Sequence, residues 1–547
     1  MAAPAFKCSL TGVAKRHVSL NHEMSVSLSE LALPISDFAI IVNPRDNVAV
    51  VKKATSPDLQ VSLPDETTLR VRARVPPGHR FATRDIPAGE FVRQYGLPIG
   101  TSLGIRAGDY VSHDNMSDDV PLIRELIGDL RTPPPDYIPE SKRATFLGYR
   151  RPDGRVGTRN YILIVPTSMC ASHEAQQISM IAEFTFYKKE RYPNVDGVVA
   201  IPHNKGCGCQ DGSTIEVMLR TLSNYADHPN VGGVILMDLG CEKTNLAKVE
   251  QYLLKREKSF DKPVAKIGIQ EIGGTEAAIA RGLTEVELML AKVNEATREE
   301  CPISELVLGV KCGSSDGFSG ISANPSLGHA ADLLVRSGGT VLITEVPEFC
   351  GAEHVLASRA KDVDTAREIY RMVDWYKVYA SKFGAVLNQN PSPGNINGGL
   401  LNITIKSLGA IAKAGTTRIE GVVEYAERPT QRGVNLMQGP GYDQESTPGL
   451  VGAGATLVVF TTGRGTTIGN AIAPVVKLAS NTPRFELMSR DLDLSAGGVI
   501  DGTETIEEVG ARVFEHVRRV ASGEIKARAE KLKHREFQFW AEQTVSL

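Results

Sequence analysis

A chain of 547 residues exceeds what one hydrophobic core supports and should divide into roughly two to four domains. With 23% charged residues and a formal net charge of −3, it has no large single-sign field, which argues against nucleic acid or an anionic membrane surface as partner. No apolar run approaches the roughly 20 residues that span a bilayer. Its eight cysteines show no framework spacing, so reduced thiols in a cytoplasmic compartment are expected rather than structural disulfides.

Residues 1–36 begin "MAAPAFKCSLTGVAKRHVSLNHEMS", without an acidic residue before Glu23 and without the apolar core of a secretory signal. They read as a disordered leader, with a weak organelle-targeting signal as the alternative. Residues 37–116 alternate in short runs such as "NVAVVKKA" and "TLRVRARV", broken by Pro-Gly and Ala-Gly turns, the pattern of a small all-β module. His79, His113 and Asn115 fall at its turns, where a tethered module can close over a neighbouring site. Residues 117–146 are acidic and proline-rich ("TPPPDY") and read as a linker.

From residue 147 apolar, β-branched runs alternate with helical patterns. The runs include "NYILIVPTSMC", "VDGVVAIPHNKGCG", "VGGVILMDLGCEK", "ELVLGVKCGSSDG", "GGTVLITEVPE" and "GATLVVFTTGRG". Such spacing predicts α/β architecture with two parallel sheets covered on both faces, one in a middle domain (147–300) and one in a C-terminal domain (301–547). Ligands of open parallel sheets bind beyond the C-terminal ends of the strands. Those ends carry Cys170, His203 with Cys207, Cys241 with Glu242, Lys311 with Cys312, Glu345, and Arg464.

Cys207 and Cys209 form a C-x-C pair, unlike the C-x-x-C of redox or zinc motifs. Cys207, Cys241 and Cys312 on separate loops are candidate ligands of a single ferrous ion or of an iron–sulfur cluster with one open iron. Against this stands the general burial of free cysteine in tight turns. "GVKCGSSDGFSGISANP" surrounds Lys311, Cys312, Ser315 and Asp316 with glycines and runs into Asn324 and a helix, a setting for a carboxylate or phosphate. Arg464 in "TTGRGTT" is shaped to grip a carboxylate bidentately. No Walker A, G-x-G-x-x-G or G-x-S-x-G pattern is present.

The motifs "GYRRPDGRVGTRNYILIVPT", "LGCEK", "CGSSDGFSGISANP", "NPSPGN" and "VVFTTGRGT" make the chain similar, from about residue 38 to 540, to the altronate/galactarate dehydratase family of sugar-acid hydro-lyases. "IPAGEFVRQYGLPIGTSLGIRAGDYVSHDN" resembles that family's β-clip (SAF-type) domain, and "AGTTRIEGVVEYAE" and "GPGYDQESTPGLVGAGA" lie nearer its altronate side. The resemblance implies an N-terminal β-clip, a linker, a dimerising middle domain giving a homodimer, and a Rossmann-like C-terminal catalytic domain without nucleotide. It also implies dehydration of an altronate-like aldonate or galactarate-like aldarate to a 2-keto-3-deoxy acid, with Fe2+, an iron–sulfur cluster or another divalent metal. On that footing Cys207, Cys241, Cys312 and Glu345 are expected at the metal, with His203 or Lys311 as base. Asp316 and His113 join the catalytic set, while Lys243, Ser315, Asn324 and Arg464 hold substrate. A sulfolactate-type lyase and a non-catalytic sugar-acid sensor are the alternatives.

Overall fold

The computed structural model describes residues 32–540 apart from 122, 125, 127 and 257–261. Most of the expected leader lies outside the described residues, but its last part belongs to the β module. Leu33–Pro34 pair in parallel with Val61–Ser62, and Ile35 is buried. The module therefore starts a few residues earlier than its turn pattern indicates. It is built from short strands in three small sheets, and its alternating residues put Val61, Val71, Phe81, Val92 and Ile99 inside.

The β module is not a loosely tethered lid. Val92, Ile99, Ile105 and Val111 share one continuous apolar core with Val310, Leu327 and Ile405 of the C-terminal domain. The turn Gly78–Arg80 inserts between two C-terminal loops. The His79 ring contacts the carbonyl of Asn397 at 3.2 Å, and Arg80 donates to the carbonyl of Gly399. Gly78 has φ 83°, and a Cβ there would lie 2.5 Å from the Gly398 carbonyl oxygen, so only glycine fits. The proline-rich connection, in turn, is pinned to the C-terminal domain through Arg124 with Asp374, Thr132 with Ala360, and Ile138 with Arg336.

The middle domain is a four-stranded parallel sheet: β1 (Tyr161–Pro166), β2 (Gly197–Ala200), β3 (Val231–Asp238) and β4 (Val264–Gly268), in spatial order β2-β1-β3-β4. Helices α1 (Ser172–Thr185) and α2 (Ser213–Ala226) and a helix at Leu246–Arg256 provide the crossovers, and α3 (Thr275–Val293), which follows β4, packs against α1 and the sheet. A strand at Thr145–Arg150 pairs antiparallel with Glu299–Pro302, so the domain enters and leaves through one ribbon.

The C-terminal sheet has seven parallel strands. In chain order they are β5 (Val307–Gly313), β6 (Thr340–Ile343), β7 (Ile419–Val423), β8 (Gly433–Met437), β9 (Leu457–Thr462), β10 (Val475–Ala479) and β11 (Leu494–Ser495). Spatially the order is β7-β8-β6-β5-β9-β10-β11. Helix α4 (Ala323–Arg336) packs on β5 and β6, α5 (Asp443–Gly452) leads into β9, and α6 (Ile506–Ala521) lies along α4. Strands β5, β6 and β9 are buried almost throughout, which explains their continuous apolar runs.

Candidate functional site

The end of β5 delivers Lys311 and Cys312 into a buried charged cage. Lys311 Nζ lies 2.7 Å from Asp443 at the start of α5, donates to the Cys312 carbonyl at 2.9 Å, and is paired with Glu345 just after β6. Lys413 Nζ lies 2.9 Å from Glu345 and 3.2 Å from Cys312 Sγ. Lys406 Nζ reaches Glu348 at 2.8 Å and Asn390 Oδ1 at 2.8 Å. The side chains of Lys311, Lys413 and Glu345 are 0% exposed, and that of Asp443, at 30%, faces outward. Both Glu345 (φ 79°) and Ser314 (φ 50°) are non-glycine residues held in the left-handed region. Such strain persists only where the surroundings over-determine it, and it concentrates at functional sites.

The electrostatics follow from burial set against charge. Burial alone would strip the proton from Lys311, but Asp443, Glu345 and Glu348 outweigh it and hold the ammonium charged beyond the ordinary lysine value. Lys413 behaves likewise, with Cys312 and Glu345 opposing burial. Burial raises Glu348, yet Lys406, Lys413 and Lys311 prevail and bring it down to about 2. Cys312 is pushed up by burial and by Glu345, so it remains a neutral thiol.

The ligand atoms of Cys312, Glu345 and Glu348 lie within 4.8 Å of one another, a group able to hold a cation. The lone pairs of both carboxylates are nevertheless engaged by three ammonium groups, and with Asp443 the three carboxylates balance the three lysines. A dication would have to displace them. As it stands the cage is charge-balanced, with neither a free carboxylate for a cation nor a free ammonium for an anion.

A second edge, at the C-terminal ends of β1, β2 and β3, carries the other predicted residues. His203 is buried, with Nε2 on the Pro166 carbonyl at 3.0 Å and Nδ1 accepting from the Lys205 N–H at 3.2 Å. Its ring stacks edge-on against Phe539. Burial brings its pKa down to about 4, so it is a neutral imidazole with both nitrogens committed to backbone. That geometry braces a loop and commits both ring nitrogens to backbone, away from the role of base expected for His203. Lys311, the other expected base, is held as an ammonium by Asp443 and Glu345. Glu242 accepts from the hydroxyls of Thr167 and Ser168 and from the N–H groups of Leu239 and Gly240. Lys243 Nζ lies 3.0 Å from the Cys209 carbonyl and 3.2 Å from Asp211, so it ties its own loop to the one after β2.

The predicted metal set is thus divided. Cys312 and Glu345 sit together in the cage, whereas Cys207 and Cys241 are exposed at the middle-domain edge and form no compact ligand group with them. Asp316 accepts from the Ser319 and Ser480 hydroxyls, the Phe318 N–H and the Asn481 amide, and so serves as a loop-holding hub rather than an acid open to substrate. Asn324 is likewise structural, bridging the Gly409 carbonyl and the Thr461 hydroxyl. His113 is exposed and rests on the Leu401 carbonyl at 2.8 Å. Ser315 is buried with its hydroxyl lacking a hydrogen-bond partner, and its carbonyl accepts from Asn395. Arg464 is exposed beside Gly394 and makes no ion pair among the described residues.

Glu348, Lys406, Lys413, Asp443 and Glu445 are absent from the set predicted from sequence. The lysines had a signal: in "NITIKSLGAIAKAG" two lone cations seven residues apart interrupt an otherwise apolar stretch. Glu445, in the first turn of α5, faces Lys205 of the middle-domain loop. Burial raises its carboxyl to about 7 against the pull of Lys205.

The comparisons agree with this architecture. The family models for the SAF domain of altronate/galactarate dehydratases, the second domain of D-galactarate dehydratase/altronate hydrolase and the C-terminal domain of D-galactarate/altronate dehydratase match residues 37–119, 148–294 and 303–545. A galactarate dehydratase (L-threo-forming) of Escherichia coli is 36% identical over 497 residues, 89% of this chain and 94% of that protein. An altronate dehydratase of Bacillus subtilis is 35% identical over 468 residues, covering 84% and 90%. The beta subunit of a (2R)-sulfolactate sulfo-lyase from Chromohalobacter salexigens is 34% identical over 401 residues, covering 73% and 97%. The chain belongs to the galactarate/altronate dehydratase family, a family of hydro-lyases.

Proposed function

We propose that the chain dehydrates a sugar acid, an aldonate or aldarate, to a 2-keto-3-deoxy acid. The carrying observation is the buried lysine–carboxylate cage at the end of β5, with Asp443 and Asn390 on its lysines and Arg464 on a loop whose backbone bonds to Ser314 just after β5, in a chain of this family. Dehydration next to a carboxylate requires removal of a weakly acidic proton and expulsion of hydroxide. Fixed ammonium groups that are charged before substrate arrives stabilise the enediolate that forms between these events. Arg464 grips a substrate carboxylate bidentately, and Asn390 offers an amide to a hydroxyl. Glu445 has the pKa for a proton acceptor near neutral pH and stands where the two α/β domains face each other.

Iron dependence is part of the proposal, and bound iron would supply Lewis acidity to the departing hydroxyl. The cage is a poor host for it, whereas the exposed thiols of the middle domain are better suited. A homodimer in the cytoplasm completes the reading, and sedimentation tests the dimer. The identities to galactarate and altronate dehydratases are too similar to choose the substrate.

An anaerobic panel of aldonates, aldarates and sulfolactate, with iron supplied, tests the function. Keto-acid release from a sugar acid is expected. Sulfite release from sulfolactate alone would move the chain to the sulfo-lyase branch, and tight binding without turnover would make it a sensor.

A further inference from the structure

Hydrogen bonds cross from the β module to the C-terminal domain at one stretch. Among the described residues they end on residues 388–402, the loop that brings Asn390 to the cage. Side chains of the module take carbonyls along this loop. His79 is on Asn397 at 3.2 Å, Arg80 on Gly399, and His113 on Leu401 at 2.8 Å. A carbonyl only accepts, so each imidazole presents an N–H here. The Gly398 carbonyl accepts from the Gly317 N–H at 2.7 Å, which holds the strip from its other side.

One carboxylate closes the two ends of the loop. Asp118 follows the strand Met116–Ser117 and is exposed, yet its Oδ2 accepts from the Asn388 amide at 3.1 Å and its Oδ1 from the Asn402 amide at 2.8 Å. Asn402 also donates to the Ile99 carbonyl at 2.8 Å. With its amide nitrogen committed to the module, Asn402 uses Oδ1 to cap the helix Ile403–Ala410, accepting from the Ile405 N–H at 3.0 Å. Lys406 is the next residue of that helix. Its Nζ meets Glu348 and Asn390 Oδ1, each at 2.8 Å, and Asn395 Oδ1 at 3.4 Å. Lys406 is therefore tied to the clamp twice, through the helix it stands on and through the loop amides it bonds. Attachment alone does not call for this arrangement, because the shared apolar core already joins module and domain.

We propose that Asp118 and His113 of the β module are positioning residues for the cage: they fix residues 388–402 and the start of the following helix, and so set Asn390 and Lys406 against Glu348. Asp118 acts with a full charge on two amides, which makes its bonds the strong ones of the clamp. His113 adds the last carbonyl before Asn402. Partners one step removed from a reacting group orient it, and at metal sites losing one costs about 10–100-fold. The same logic holds for an ammonium that must be in place before charge develops on the substrate. The effect on dehydration rests on the hydro-lyase reading, but the hold on the loop does not.

Asp118→Ala and His113→Ala alter exposed side chains of the full chain, so both should fold, which thermal unfolding checks. Hydrogen exchange read by mass spectrometry should show residues 388–406 exchanging about tenfold faster in Asp118→Ala, with the rest of the domain unchanged. In the keto-acid assay kcat should fall about 10–100-fold while KM stays within about twofold, since Arg464 is untouched. Asp118→Glu and His113→Gln keep an acceptor and a donor and should recover most of the rate. Adding Asp118→Ala to Asn390→Ala should cost little more than Asn390→Ala alone, because both act on the same contact. Should the alanine variant not fold, Asp118→Asn, which turns one acceptor towards an amide as a donor, should move exchange and kcat in the same directions. Faster exchange with an unchanged kcat, a lower kcat with unchanged exchange, no effect on either, or additive losses in the double variant would overturn the proposal. A wild-type protein that turns over no sugar acid refutes the hydro-lyase reading instead, and exchange alone then decides whether the clamp holds the loop.

Discussion

His203→Gln decides whether this imidazole is a base or a brace. The Gln amide can still donate to the Pro166 carbonyl, but the acceptor for the Lys205 N–H and the contact with Phe539 are lost. In the folded protein the His203 pKa is brought down to about 4 by burial, against an ordinary 6.5. The unfolded chain therefore takes up the proton first as pH falls. The sign is fixed by this: His203 contributes no penalty above pH 6.5, and stability drains away as pH drops from 6.5 towards 4. At 1.36 kcal/mol per pH unit the full loss is about 3 kcal/mol. Urea unfolding followed across this range should show that slope in the wild type. In His203→Gln it should be flatter by about 3 kcal/mol, on top of a constant loss of roughly 1–3 kcal/mol from the unmade hydrogen bond. The pH profile of kcat/KM should keep its acid limb. A variant of unchanged stability slope that lost the acid limb and fell about a thousandfold in rate would refute the brace and restore the base.

Glu445→Gln should lower kcat by about 10²–10⁴-fold and remove the acid limb near pH 7, with little change in KM. Steady-state profiles from pH 5 to 9 check this. Arg464→Lys should raise KM about tenfold with kcat nearly kept, because a point charge replaces a two-pronged grip, and Arg464→Ala should be worse. Lys413→Met leaves Glu345 buried without one of its two ammonium partners and should cost about 3–5 kcal/mol in denaturant unfolding. The double variant Lys413→Met/Glu345→Gln should recover much of that loss if charge balance is what holds the cage together, although both forms should be inactive.

The layout of strands and loops was legible because parallel strands buried on both faces must be apolar throughout, and β1, β3, β5 and β9 are. Reactive residues at their ends, such as Lys311, Cys312 and Glu345, stood out against that background. Partnership was not legible. Cys207, Cys241 and Cys312 look equivalent in the sequence, each closing an apolar run beside glycine. The fold nevertheless assigns them to different sheets, where Cys312 is enclosed by lysines and the other two face outward. Glu348, Lys406 and Lys413 were hidden for the converse reason. They enter the cage from short helices whose apolar surroundings mark them as core, and a charge in a core becomes informative only once its counter-charge is located.

This division bears on how such a protein could run an elimination. An ammonium cage that is already neutralised cannot also be a strong metal site, since each added positive charge weakens the hold on the others. A substrate carboxylate could enter its open side only by taking the place of Asp443, the half-buried partner of Lys311. Expelling hydroxide calls for a different environment: accessible, soft-ligand-rich and able to leave one coordination position free. The edge bearing Cys170, Cys207 and Cys241 presents exposed thiols, and the charge of Lys205 on that edge acts on Glu445 of α5. Binding of the acid group and activation of the leaving group would then be supplied by separate sheets, and the substrate would have to lie across the seam between them. Substitutions that perturb the seam without touching either cluster, such as Lys205→Ala, should therefore lower kcat while leaving the iron content of the protein unchanged. A Lys205→Ala protein with full activity would mean that the two edges work independently.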